Sequence, residues 1–140
     1  MKLTLAKASV IVDRALAKAD EMKIQPLCVA VLDDGGHLIA LKRADGASIL
    51  RSTIAIGKAW GAIGMGESSR HLAKRLKERP EFLGALSDMS GGKVVPVAGG
   101  VLMMDGPSII GAVGASGATS EEDEACAIAG IQAAGLEFKV

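Results

Sequence analysis

The segment from residue 49 to residue 66 has the length of a helix but carries too many small residues for an ordinary one. Ala55, Gly57, Ala59, Gly61, Ala62 and Gly64 recur among Ile54, Ile56, Trp60 and Ile63. Each glycine weakens a helix by ~1 kcal/mol, so their number implies that another backbone packs very close to this one. A Gly57-x-x-x-Gly61 spacing would join two helices in a bilayer, but Arg51 and Lys58 share the stretch and argue for a buried helix of a globular protein.

The flanking segments follow simpler rules. Leu5, Ala8, Val12, Ala15, Ala19 and Met22 alternate steps of three and four, one apolar helix face with Lys7, Asp13, Arg14, Lys18 and Glu21 on the wet side. Thr4 is placed to cap this helix and Pro26 to mark its end. Apolar runs at 28–32 and 38–41 flank Asp33-Asp34-Gly35-Gly36, which predicts a hairpin. A polar helix is expected over 69–79, ended by Pro80, with a further turn at 82–86. VVPVAGG, VLMM and IIGAVGASG then read as three strands, with Asp105-Gly106 turning the second into the third. Thr119 and Ser120 cap a last helix whose first turn holds Glu121, Glu122, Asp123 and Glu124, where the helix dipole favours negative charge. Ala125, Ile128, Ile131 and Ala134 carry it to Gly135. This order predicts an α/β chain of the α+β kind, one domain over 1–140, with a roughly five-stranded antiparallel sheet flanked by helices.

Composition narrows the function. The chain's 140 residues suit a single core. Sixteen basic and sixteen acidic residues cancel, and Trp60, Phe82 and Phe138 are the only aromatics, so nucleic acid is not an expected partner. The basic run Arg70, Lys74, Arg75, Lys77 and Arg79 reads as a solvated helix face, or else as a landing site for acidic ligands or a partner subunit. No uncharged stretch near 20 residues offers a membrane span, and the start MKLTLAKAS lacks the apolar core and cleavage site of a signal peptide. A cytoplasmic protein is expected. Cys28 and Cys126 read as small buried hydrophobes, not as a nucleophile, metal pair or disulfide.

Three stretches carry a family resemblance: VAVLDDGGHLIALKRADGA (29–47), IAIGKAWGA (54–62) and AGGVLMMDGPSIIGAVGASGATSEEDEACAIAG (98–130). Together they resemble the GlcG/HbpS-like family of small haem-binding or ligand-binding proteins. The G-A-V-G-A-S-G run followed by E-E-D-E is the most specific of these signals. The resemblance implies a profilin-like fold, self-association from dimer to octamer, and a small-molecule ligand. It makes haem a candidate cofactor and associates the protein with small-molecule catabolism. Family members that ligate haem through a histidine in the first helix have no counterpart here, because residues 5–23 contain none.

The residues that could carry chemistry are few. His37 and His71 lack a partner at i+3 or i+4, so no zinc site is expected. Each is either a solvated surface residue or a candidate haem ligand, with Met65, Met103 and Met104 as softer ligands or simply core. Arg43 and Asp45 would share a strand face by the period of two, as a local pair or as a grip on a carboxylate. Lys58 is the only charge between Arg51 and Glu67. It either snorkels to water or, if buried with a lowered pKa, serves as a base or charge clamp. Arg43, Asp45 and Lys58 would line a pocket with Gly99, Gly100, Ser116 and Gly117. Phosphate is not expected at the last helix, because each first-turn carboxylate at ~4 Å repels an anion by about 4 kcal/mol, against a dipole contribution of about 1 kcal/mol. A cation, an amine or an oligomer contact suits that acidic turn better. Ser116 has no neighbouring base and no G-x-S-x-G setting for hydrolysis. The leading expectation is a binding protein for haem or a related tetrapyrrole. The alternative is a lyase or isomerase of organic-acid or diol metabolism that uses Lys58 or Asp45 for proton transfer.

Overall fold

The computed structural model describes residues 2–140, and alternation along its central strands sorts the protein into two faces. In β1 (Cys28–Asp33), β3 (Gly100–Asp105) and β4 (Ser108–Ser116), the residues Val29, Val31, Val101, Met103, Val113 and Ala115 face one cluster. That cluster is completed by Ile11, Val12 and Ala15 of α1 (Leu5–Met22) and Cys126, Ala127 and Ile131 of α5 (Ser120–Ala133). The intervening residues Cys28, Ala30, Leu32, Leu102 and Ala112 face α2 (Leu50–Met65), meeting Ala55, Ala59 and Ala62.

With β2 (Leu38–Arg43) and β5 (Glu137–Lys139) the sheet has five strands in the order β2-β1-β4-β3-β5, and every neighbouring pair is antiparallel. Strands and helices segregate as expected of an α+β fold. Its composition differs from expectation in one respect. The run 94–99 forms no strand, and β5 takes the fifth place. Pro96 has no N–H for a ladder, and the segment instead lies across α2, where Val95 N–H donates to the Gly57 carbonyl at 3.3 Å.

That crossing answers the question raised by the small residues of α2. A side chain added at Gly57 would strike Val95 and the Lys93 carbonyl, and one at Gly61 would press on Val94. From the sheet, Gly114 abuts the Ala55 carbonyl and Gly100 the Lys58 carbonyl, both nearer than any Cβ permits. The helix is clasped by main chain on two sides.

Helix ends show where local signals held and where they did not. Thr4 caps α1 by accepting from Lys7 N–H, but the helix stops at Met22 because Lys23 turns left-handed, three residues before Pro26. Leu5, expected inward, is exposed, and Ile11 fills that face instead. Pro80 does not merely end a helix: α3 (Ser69–Leu76) stops earlier, and Pro80 begins α4 (Pro80–Met89), where its fixed φ suits the first turn. Thr119 and Glu122 form the capping box of α5. Among the described residues no helix is long and apolar enough to cross a membrane.

Candidate functional site

The polar interior gathers where α2, the start of β3, the end of β4 and the first turn of α5 meet. Lys58 is 3% exposed and its partner Asp123 is 2% exposed, with Nζ 3.0 Å from the carboxylate Oδ2. Lys58 also donates to the Ala115 carbonyl at 3.0 Å, and the other carboxylate oxygen of Asp123 accepts from Ala118 N–H at 2.9 Å. Burial holds the Lys58 ammonium below the ordinary lysine range, against the pull of the Asp123 carboxylate in the opposite direction. The amine that suits the acidic helix start is therefore the chain's own.

Around this pair the close approaches have a purpose. Gly99 lies against the Lys58 side chain, and a Cβ there would sit 2.8 Å from Nζ. Ser69, fully buried at the start of α3, accepts from Gly100 N–H at 2.7 Å and so fixes the first residue of β3. Arg70 grips Glu124, its Nε 3.0 Å from the carboxylate. Two of the four acidic residues of the α5 start are thus committed to cations on other helices, and Glu122 to the cap. Farther along the same face of α2, Arg51 donates to the Ser116 hydroxyl at 3.2 Å.

The residues nominated from sequence therefore divide. Lys58, Gly99, Gly100 and Ser116 come together, all buried, with Gly117 at the rim. Arg43 and Asp45 are exposed. They do not share a strand face, because β2 ends at Arg43 and the chain turns there, with Gly46 at φ +85° and Ala47 N–H bonded to the Ala44 carbonyl. Arg43 donates to the Ala47 carbonyl at 3.4 Å rather than to Asp45. A pocket lined jointly by Arg43 and Lys58 is thus not what the fold builds, since Lys58 is closed off from water.

Both histidines lie outside this interior. His37 is 80% exposed with Nδ1 3.2 Å from Asp33, and His71 is 60% exposed with Nδ1 3.0 Å from Glu67. Glu67 also receives Arg75 at 2.9 Å. No cluster of three metal-ligating side chains occurs among the described residues. Met103 is buried core and Met65 and Met104 are partly buried against apolar clusters. Cys28 and Cys126 are buried free thiols, both with pKa raised chiefly by burial.

Sequence reading did not foresee Arg51, Ser69, Arg70, Asp123 or Glu124 as members of this network. Their partners lie 31 to 65 residues away. The one available signal was an acidic helix start denser than capping requires.

Residues 3–132 match the model of the haem degrading protein HbpS-like family. The chain belongs to that family. It is 29% identical over 121 residues to an uncharacterised 15.0 kDa protein of the dhaT-dhaS intergenic region of Citrobacter freundii, covering 86% of this chain and 84% of that one. It is 27% identical to the corrinoid adenosyltransferase PduO of the same organism, over 88% of this chain but only 36% of that enzyme's length. Among solved structures, the PduOC:haem complex matches with a TM-score of 0.89 and 26% identity over 100% of both chains. HbpS matches with a TM-score of 0.83 and 28% identity, covering 94% of this chain and 89% of that one.

Proposed function

We propose that the protein binds haem or a related tetrapyrrole, as a small-ligand-binding protein associated with small-molecule catabolism. The observation that carries this reading is the end-to-end likeness to PduOC, whose structure is a haem complex. The chain's own residues suit a haem held on an open surface or at a subunit seam, not in a closed chamber. The cavities of about 430 and 450 Å³ are open to solvent, and neither is lined by a histidine.

Of the two histidines, His71 is the better ligand. Its hydrogen bond to Glu67 leaves Nε2 as the coordinating nitrogen and strengthens it as a donor. Arg70 and Arg75 of its helix are already paired with Glu124 and Glu67, and Lys74 with Lys77 at the helix end supplies the charge that favours propionates. His37 instead sits beside Asp33 and Asp34, which disfavour them. When bound, haem would supply iron ligation chemistry, while Glu67 orients the imidazole and the basic helix holds the acid groups.

Titration of haemin into micromolar protein tests the reading. A saturable Soret shift is expected, weakened at least tenfold in His71→Ala and nearly unchanged in His37→Ala. A flat titration with wild type overturns it. Self-association, from dimer to octamer, belongs to the same reading and is measured by light scattering with and without haemin.

A further inference from the structure

Arg51 has a property that the haem reading does not use. It is half-buried, yet no carboxylate pairs with it among the described residues, and its one side-chain bond goes to the neutral Ser116 hydroxyl at 3.2 Å. A guanidinium has five N–H donors, and the single bond to Ser116 leaves the others for a ligand. Arg51 also borders a cavity of about 190 Å³, lined further by Gln25, Pro26, Ala47, Ser48 and Gly117. Its positive charge is felt at Lys58, which it helps to hold below the ordinary lysine range. Lys58 has Asp123 as counter-ion. Arg51 has none.

We propose that this cavity binds a small organic monocarboxylate, with Arg51 as the anchor for its carboxyl group. The carboxylate takes the free guanidinium donors in the two-pronged manner that the planar group favours. Among the lining residues, Gln25 and Ser48 offer an amide and a hydroxyl for hydroxyl or oxo oxygens, while Pro26 and Ala47 offer apolar surface for a short carbon chain. The volume lies below the ~300 Å³ at which pockets for drug-sized ligands begin, so the ligand has only a few carbons.

Charge selects among small anions. The site offers one net positive charge, because Arg51 lines it while Arg43, bonded to the Ala47 carbonyl, and exposed Asp45, next to Gly46, offset each other on the lining loop. A monoanion balances Arg51, whereas a phosphate dianion leaves excess negative charge near Asp45. The site is independent of the histidine surface, so it stands or falls separately from haem binding.

The test is calorimetric titration of the protein with glycolate and with lactate, with inorganic phosphate and the neutral amide glycolamide as comparisons. Saturable millimolar or tighter binding of the hydroxy acids is expected, with glycolamide at least tenfold weaker. Arg51→Gln, checked for an unchanged circular dichroism spectrum, loses the binding at least tenfold. Ala47→Leu, which fills the cavity and keeps the charge, loses it as well. No heat with either acid at tens of millimolar overturns the proposal. So does equal affinity in wild type and both variants, or tighter binding of phosphate than of the acids.

Discussion

Two lysine–aspartate pairs differ sharply: one lies on the α1 face of the sheet, and the other ties α2 to the start of α5 in the opposite layer. On the α1 side, Lys42 of β2 meets Asp13 at 2.7 Å with 61% and 56% of their side chains exposed. Lys58 of α2 meets Asp123 of α5 at 3.0 Å in near-complete burial. Between helices and sheet the first face is filled by branched and long side chains (Ile11, Val29, Val31, Met103, Val113 and Ile131), which have rotamers to adjust, and its close main-chain approach, Gly130 on the Ile11 carbonyl, joins α5 to α1 and not to the sheet. The second joins backbone to backbone through Gly100 and Gly114, where no atom can be added and no side chain can yield. A face built from side chains tolerates a change by repacking, whereas a face built from close main-chain approach and a sealed ion pair does not.

The largest effect that would test this contrast is the loss of one buried partner. Lys58→Met leaves the Asp123 carboxylate in a dry site and is expected to cost about 3–5 kcal/mol in urea unfolding. The double variant Lys58→Met with Asp123→Leu should recover most of that loss. A single variant within about 1 kcal/mol of wild type shows that water reaches the pair. Next comes Gly114→Ala, whose methyl group has no space beside the Ala55 carbonyl, with an expected cost of about 3 kcal/mol. Val113→Ala, one residue away and facing the other cluster, should cost less, about 2 kcal/mol. A reversal of that order refutes the two-face account.

Alkali probes the faces with opposite sign. Burial raises the Cys126 thiol from 9.0 to about 11, so the folded chain holds that proton more tightly. Its stabilisation is complete below pH 9.0 and lost as pH climbs towards about 11. Burial lowers Lys58 below its ordinary 10.5, so its contribution rises with pH up to 10.5 instead. Cys126→Ala should therefore flatten the decline in stability between pH 9 and pH 11 by at most about 2 kcal/mol. An unchanged slope means that the thiol titrates normally. The smallest effect is Lys42→Met, which breaks only the exposed pair and should shift stability by no more than about 0.5 kcal/mol, a value checked in the same urea series.

Much of the fold was legible because its signals are local. The Thr119 cap, the glycine turns of both hairpins and the short apolar runs of β1 and β4 each act within a few residues. The errors share a cause. VVPVAGG has the composition of a strand, but its place was decided by the groove over Gly57 and Gly61, and Glu137–Lys139 became a strand because β3 offered it an edge. The site was less legible. Lys58 was singled out, but its supposed companions Arg43 and Asp45 lie in the exposed turn, while Asp123 and Arg51 were passed over.

By itself the sequence determined that α2 must meet another main chain at close range, that the strands pair as antiparallel hairpins, and that the last helix starts with surplus negative charge. Those facts follow from glycine content, turn chemistry and capping, which need no knowledge of the rest of the chain. Only the tertiary structure decided which backbone approaches α2, which acid neutralises Lys58 across 65 residues, and that Arg51 is left without one among the described residues. The physical reason is that a charge drawn inward takes its partner from whatever the packed elements bring within about 3 Å, and sequence spacing does not encode that distance.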